Sequence, residues 1–204
     1  DCEATPDNPW LVQEFVEGID LCSFSVCHRG HVAAHSTYVH PREIEHAGGI
    51  VFESIESPNT LAHTRKIAEA TGYHGQLSLD FKRRDDGTLV LIECNPRPTA
   101  GTILMPDDML VRALLDPLRP GAARPSTEVA PAGLRRKYAM ALVRDMFVHP
   151  EEAREDLRYL LSNARDFYLD PDDPVPGLWQ VLSYTHVLEY RKFVGRDRAK
   201  RSDL

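Results

Sequence analysis

The chain has 204 residues, 42% of them hydrophobic and 27% charged, with a formal net charge of −7. That balance suits a globular protein with a sizeable core and argues against a nucleic-acid partner, despite the short basic runs Lys82-Arg83-Arg84 and Arg135-Arg136-Lys137. No apolar run is long enough to span a bilayer, the first residues lack a signal-peptide pattern, and four cysteines without a CxxC spacing do not make a disulfide scaffold, so a reducing cytoplasm is the expected compartment.

Residues 1 to 9 read as a polar loop closed by Asn8-Pro9, and Trp10 to Val16 as a strand stopping at Glu17-Gly18. Leu21 to His28 and Val32 to Val39 are β-rich runs joined at Arg29-Gly30-His31, a hairpin. Pro41 to Gly49 reads as a loop, with Gly48-Gly49 giving backbone freedom, and Ile50 to Glu56 as a further strand. A helix follows with concordant signals: Ser57 as N-cap, Pro58 at its first position and Gly72 at its end, with Leu61, Ile67, Ala68 and Ala70 as an imperfect apolar stripe. His28, His31 and His35 invite a zinc reading, but strand parity and the turn separate them, which favours surface or core histidines. Cys22 and Cys27 fall on opposite faces of a regular strand and read as packing residues.

Gln76 to Arg84 alternates polar and apolar residues, Asp85-Asp86-Gly87-Thr88 is a hairpin signal, and Leu91-Ile92-Glu93-Cys94-Asn95-Pro96-Arg97 begins apolar and turns polar. A two-residue turn at Asp86-Gly87 sets Asp80 across from Glu93 and Ser78 across from Asn95, and segregates Leu77, Leu79, Phe81, Val90, Ile92 and Cys94 on one face. A three-residue loop would instead set Asp80 opposite Ile92 and mix polar with apolar, so the first register is preferred. Facing carboxylates repel unless a proton or a cation lies between them. Asp80, Glu93 and the amide oxygen of Asn95 are hard donors of the kind Mg2+ takes alongside phosphates. The competing reading is an exposed hairpin end whose acids are solvated.

Gln13-Glu14-Phe15-Val16-Glu17-Gly18-Ile19-Asp20, followed at long range by Asp80-Phe81 and by Glu93-Cys94-Asn95-Pro96-Arg97, resembles the C-terminal half of the ATP-binding domain of the ATP-grasp superfamily, in the branch of carboxylate-amine ligases, carbamoyl-phosphate synthase large subunits and biotin carboxylases. The resemblance covers roughly residues 10 to 101 and rests on separated motifs in order. It implies that backbone groups of Gln13, Glu14, Phe15 and Val16 hold adenine, that Asp20 holds the ribose hydroxyls, and that Asp80, Glu93 and Asn95 hold Mg2+, with Mn2+ as an alternative ion. Arg97 maps to the arginine that contacts the transferred phosphoryl group or the acyl phosphate. Its always-charged fork suits that task. The resemblance also implies a glycine-rich lobe with phosphate-binding lysines, which nothing before residue 10 supplies. The expectation is therefore a fragment, a proteolytic product or one half of a split enzyme, with the other lobe supplied in cis or in trans.

In the second half, Asp107 to Leu115 and Glu151 to Asn163 read as helices, Tyr138 to Val148 and Asp166 to Leu169 as strands, and Leu118 to Pro131 as a linker or surface loop. Asp170 to Gly177 is a rigid turn region, Leu178 to Val194 a final helix, and Arg196 to Leu204 a charged, disordered tail.

The expected fold class is α+β: an antiparallel sheet packed with helices over residues 1–105, and a mixed α/β extension over 106–204. The expected function is the C-terminal portion of an ATP-dependent ligase that activates a carboxylate as an acyl phosphate for attack by an amine or similar nucleophile. Its partners would be ATP and small carboxylate and amine substrates, without nucleic acid or membrane, and a homo-oligomer is compatible with this. Selectivity would lie largely in the absent lobe and in the variable loops Arg42 to Gly49 and Thr99 to Met105. A non-catalytic nucleotide-binding or structural module that keeps the fold is the alternative.

Overall fold

Two strands rich in alternating apolar and β-branched residues, β1 (Ile19–His28) and β2 (His31–Ile44), meet across a two-residue turn at Arg29-Gly30, with His28 opposite His31. This is the expected hairpin, in a computed structural model that describes residues 5–44, 48–119, 121, 123–124, 126–183 and 185–186. The remaining elements are β3 (Gly48–Ile55), α1 (Pro58–Thr71), β4 (Gly75–Arg83), β5 (Leu89–Asn95), a 3-10 helix at Ala100–Leu104, α2 (Asp107–Leu115), a second 3-10 turn at Asp116–Leu118, β6 (Glu128–Val129), β7 (Arg135–Lys137), α3 (Ala139–Val148), α4 (Ala153–Leu160) and β8 (Arg165–Asp166). The fold is α+β, with most strands in antiparallel ladders.

The chain divides into two compact units, Asp1–Val39 with Ser54–Ala132, and His40–Glu53 with Gly133–Leu204. In the first, the strands lie in the order β5-β4-β1-β2. One face of this sheet buries Leu21, Cys27, Val32, Leu77, Leu79 and Phe81 under α1, whose Ala68, Leu61 and Ile67 complete the cluster. The other buries Phe24, Val26, Ala33 and Ala34 under Met105, Met109 and Ala113. Helix α1 starts and stops where its signals predict, with Pro58 in the first turn and Gly72 left-handed at the C-cap, although the Ser57 side chain makes no cap bond. Its buried face is not the apolar stripe alone, because Thr60 and Thr64 are fully buried with Ala68. Helix α2 has the predicted bounds, and the segment 118–131 contributes β6, which pairs in parallel with β2.

The second unit sets β7 antiparallel to β3 and parallel to β8. Ile50, Val51 and Leu142 form its core, with Ile44, Tyr138, Ala141, Tyr159 and Leu160 around them.

Three local expectations are corrected. Trp10 to Val16 forms no strand, and Leu11, Val12 and Phe15 are all more than four-fifths exposed, without a neighbouring strand among the described residues to pair them. Pro41 to Ile44 continues β2 rather than opening a loop. Tyr138 to Val148, read as a strand, is helix α3 with Tyr138 as its N-cap, because Ala, Met and Leu favour helix and Leu142 and Asp145 share its buried face. Helix occupies 175–183, while the end of the predicted final helix and the tail lie outside the described residues.

Candidate functional site

The β4–β5 hairpin turns differently from the expectation and still arrives at the same pairing. Arg84 N donates to Thr88 O at 2.9 Å and Arg83 pairs with Leu89, so Asp85, Asp86 and Gly87 form a three-residue loop, with Gly87 at φ 84°. That register alone would place Asp80 opposite Ile92. A bulge at Ile92 restores the step: Phe81 pairs with Leu91, and the next pair is Asp80 with Glu93, followed by Leu79 with Cys94 and Ser78 with Asn95. Before the bulge, Leu89 and Leu91 take the Phe81 face and Val90 the opposite one, so the predicted segregation of Val90 and Ile92 with Phe81 does not hold. Strand β5 is an edge strand, and the carbonyl of the bulged Ile92 accepts from Gln13 Nε2 at 3.4 Å.

Across the sheet, paired residues share a face, so Glu93, Asp80, Cys22 and Tyr38 form one row and Asn95, Ser78, Phe24 and Ser36 the next. Asn95 Nδ2 donates to Asp80 Oδ2 at 3.1 Å, leaving the Asn95 amide oxygen as an acceptor on the same face. Asp80 and Asn95 are half-buried and Glu93 is exposed. Burial, reinforced by the Asp80 carboxylate, pushes the Cys22 thiol far above its ordinary range, so it stays protonated beside Asp80. Burial likewise raises Tyr38, whose hydroxyl lies 3.2 Å from Thr99 Oγ1.

The hydroxyls of this face anchor the segment that follows β5. Ser78 Oγ donates to the Arg97 carbonyl at 3.1 Å and lies 2.9 Å from Thr99 Oγ1, and Ser36 Oγ donates to the Gly101 carbonyl at 3.1 Å. Gly101 seats the 3-10 helix against the sheet, where a Cβ would come within 2.3 Å of Phe24 Cβ and 2.8 Å of Tyr38 Cε1. Arg97 is thus held through its backbone while its exposed guanidinium, among the described residues, donates only to the Pro98 carbonyl, at 3.3 Å. Sequence reasoning missed Ser36, Tyr38, Ser78 and Thr99, although Ser78 was placed beside Asn95 and Ser36 and Tyr38 sit at alternate positions of one strand.

Asp20 lies on the same face one row further along, opposite Lys82, whose ammonium it meets at 2.7 Å. Glu14, Phe15 and Val16 line a separate cavity of about 470 Å³ with Gly18, Arg84, Asp85 and Asp86, at the turn end of the hairpin. Val16 is buried, Phe15 projects into solvent, and Glu14 is 3.4 Å from Arg84. The structure therefore gathers Asp80, Glu93 and Asn95, sets Asp20 beside them, and places the Gln13–Val16 segment along the β5 edge and the turn.

Two carboxylates and an amide oxygen on one exposed-to-half-buried face are a donor set that fits a hard divalent cation completed by water and phosphate. Among the described residues no group of three or more His, Cys, Asp or Glu is arranged to hold a metal ion, and His28 and His35 are engaged by Ala113 O at 2.7 Å and Ser25 Oγ at 2.8 Å.

No family model and no curated protein matches the sequence. Among solved structures, the chain is similar over part of its length to the phosphoribosylaminoimidazole carboxylase ATPase subunit from Aquifex aeolicus, at 19% identity and TM-score 0.37, covering 43% of this chain and 29% of that one. It is similar to a biotin carboxylase–beta-gamma-ATP complex from Campylobacter jejuni at 18% identity and TM-score 0.40, covering 56% and 28%, and to N5-carboxyaminoimidazole synthetase from Staphylococcus aureus at 13% identity and TM-score 0.40, covering 66% and 39%. These are ATP-grasp enzymes, and the chain spans less than two-fifths of each.

Proposed function

We propose that residues 1–105 are the C-terminal lobe of an ATP-grasp site, and that the parent activity uses ATP to activate a small carboxylate as an acyl phosphate for displacement by an amine or similar nucleophile. One observation carries this reading: the bulged hairpin sets Asp80 directly against Glu93, with Asn95 bonded to Asp80 on the same face. Like charges directly opposite on a sheet cost stability, and a bulge that creates such a pair supports a cation as its occupant.

Asp80, Glu93 and Asn95 would hold Mg2+, which when bound neutralises charge on the nucleotide phosphates. Arg97 would stabilise charge on the phosphoryl group in transfer, its backbone fixed by Ser78 so that the side chain reaches into solvent from a defined point. Asp20 would accept from the ribose hydroxyls after parting from Lys82, and the Gln13–Val16 segment would supply backbone groups to adenine.

Isothermal titration of the full chain with Mg-ATP, with thermal melts alongside, tests the reading. Asn95→Ala and Asp80→Asn are expected to weaken binding about tenfold or more, a change of about 1.4 kcal/mol. Without Mg2+, Glu93→Gln should stabilise the chain by roughly 0.2–1 kcal/mol by removing the repulsion, and Mg2+ should raise the melting temperature of the wild type more than that of this variant. Millimolar or weaker binding that is the same in Asn95→Ala would remove the ATP-site assignment.

A further inference from the structure

At the opposite end of β1 from Asp20, some 25 to 30 Å away by strand rise, lies a second cavity of about 460 Å³, lined by His28, Arg29, His74, Pro117, Leu118, Ala123 and Arg124. In a chain of net charge −7, this lining contains, among the described residues, two arginines and two histidines and no acid. The neighbouring arginines are spent elsewhere: Arg112 pairs with Asp108 at 2.6 Å and Glu128 at 2.8 Å, and Arg119 with Asp116 at 3.2 Å. Arg29 and Arg124 make no ion pair or hydrogen bond among the described residues.

The backbone at Arg29 points the same way. It is the one non-glycine residue with positive φ among the described residues, at 47°, in a turn position that asparagine or glycine fills at least cost. An arginine held there in the left-handed region, unpaired and at the mouth of a cationic cavity, is the kind of local strain that function maintains. The mouth is also fixed in place. Gly30 N donates to Tyr73 O at 2.8 Å, His28 Nε2 donates to Ala113 O at 2.7 Å, and His74 packs edge-on against His28 with ring centroids 5.0 Å apart.

We propose that this cavity is a binding site for a phosphorylated small molecule, with Arg29 and Arg124 holding the phosphate between them. Guanidinium forks bind phosphate oxygens in pairs, and the volume suits a compact metabolite.

The test is an NMR titration of the 15N-labelled full chain with inorganic phosphate at constant ionic strength, with acetate in parallel. Saturable shifts at the Gly30 and His74 amides are expected, with acetate weaker. Arg29→Asn and Arg124→Ala should each weaken phosphate binding at least about fivefold, the loss of one charged contact. Arg29→Asn suits the left-handed turn, so its melting temperature should not fall, which separates lost binding from lost fold. Shifts that stay linear, that acetate reproduces equally, that survive both variants unchanged, or that centre on Asp80 and Asn95 would each overturn the proposal. Asp80→Asn should leave the Gly30 response intact, so this proposal and the nucleotide assignment fail separately.

Discussion

His35 shows what one side chain can impose on the protein. It is 1% exposed, and hydroxyls satisfy both ring nitrogens: Ser25 at 2.8 Å, Thr37 at 3.0 Å and Thr60 at 3.2 Å. Burial first, and the Arg65 charge second, lower its pKa from 6.5 to about 3. The folded chain therefore keeps His35 neutral where the unfolded chain takes up a proton. Its contribution to stability is complete above pH 6.5 and falls as the pH drops from 6.5 toward 3, by up to about 1.4 kcal/mol per pH unit. Urea unfolding at pH 7 and pH 5 should show a larger loss for the wild type than for His35→Gln, which is weaker at pH 7 and flatter with pH; equal slopes would refute this. Strand parity does not reveal this network, because Thr60, one of its three hydroxyls, reaches His35 from α1, whose apolar stripe gives no sign of a buried polar face.

At the scale of elements, the β4–β5 hairpin was legible in its existence, its strands and its decisive pair, and not in its mechanics. The alternation in the Gln76–Arg84 run and the demand for a buried Leu77-Leu79-Phe81 face fix which β4 residues meet the core. They do not reveal that a longer turn and a bulge offset one another, since two irregularities of opposite sense leave the far end of the ladder in the same register. Two glycines near this hairpin separate steric from conformational need. At Gly87 a Cβ meets nothing within 4 Å, so Gly87→Ala should cost about 1 kcal/mol through its positive φ alone, and leave nucleotide binding unchanged. At Gly101 the collision is with Phe24 and Tyr38, so Gly101→Ala should cost about 1–3 kcal/mol and weaken Mg-ATP binding by lifting the segment that carries Arg97. Melting curves and titrations of the two variants, compared side by side, check the contrast. The strand misread at Tyr138 to Val148 has a simpler cause: a short apolar run does not reveal its period, and here Leu142 and Asp145 face the interior together at helical spacing.

For the molecule as a whole, the second unit was the least legible part, because its key contacts join residues about a hundred positions apart. Arg42 was read at the start of a substrate-facing loop. It lies instead in β2 with its side chain 10% exposed, donating Nε to Asp156 at 2.7 Å and Nη2 to Asp145 at 2.5 Å, and also to Glu152. Asp145 and Asp156 are fully buried, and one oxygen of each has no hydrogen-bond partner among the described residues. One guanidinium thus compensates two carboxylates that have no access to water. A charge left unpaired in the interior is far more costly than the pair was worth. Arg42→Met, which keeps the length of the stem but removes the charge, should cost about 3–5 kcal/mol by urea unfolding followed by circular dichroism. Adding Asp145→Asn and Asp156→Asn to that background should recover part of the loss, since the same substitutions remove the charges that Arg42 compensates. A loss below about 1 kcal/mol for Arg42→Met, or no recovery in the combined variant, would mean that packing rather than charge holds β2 to α3 and α4 within this unit.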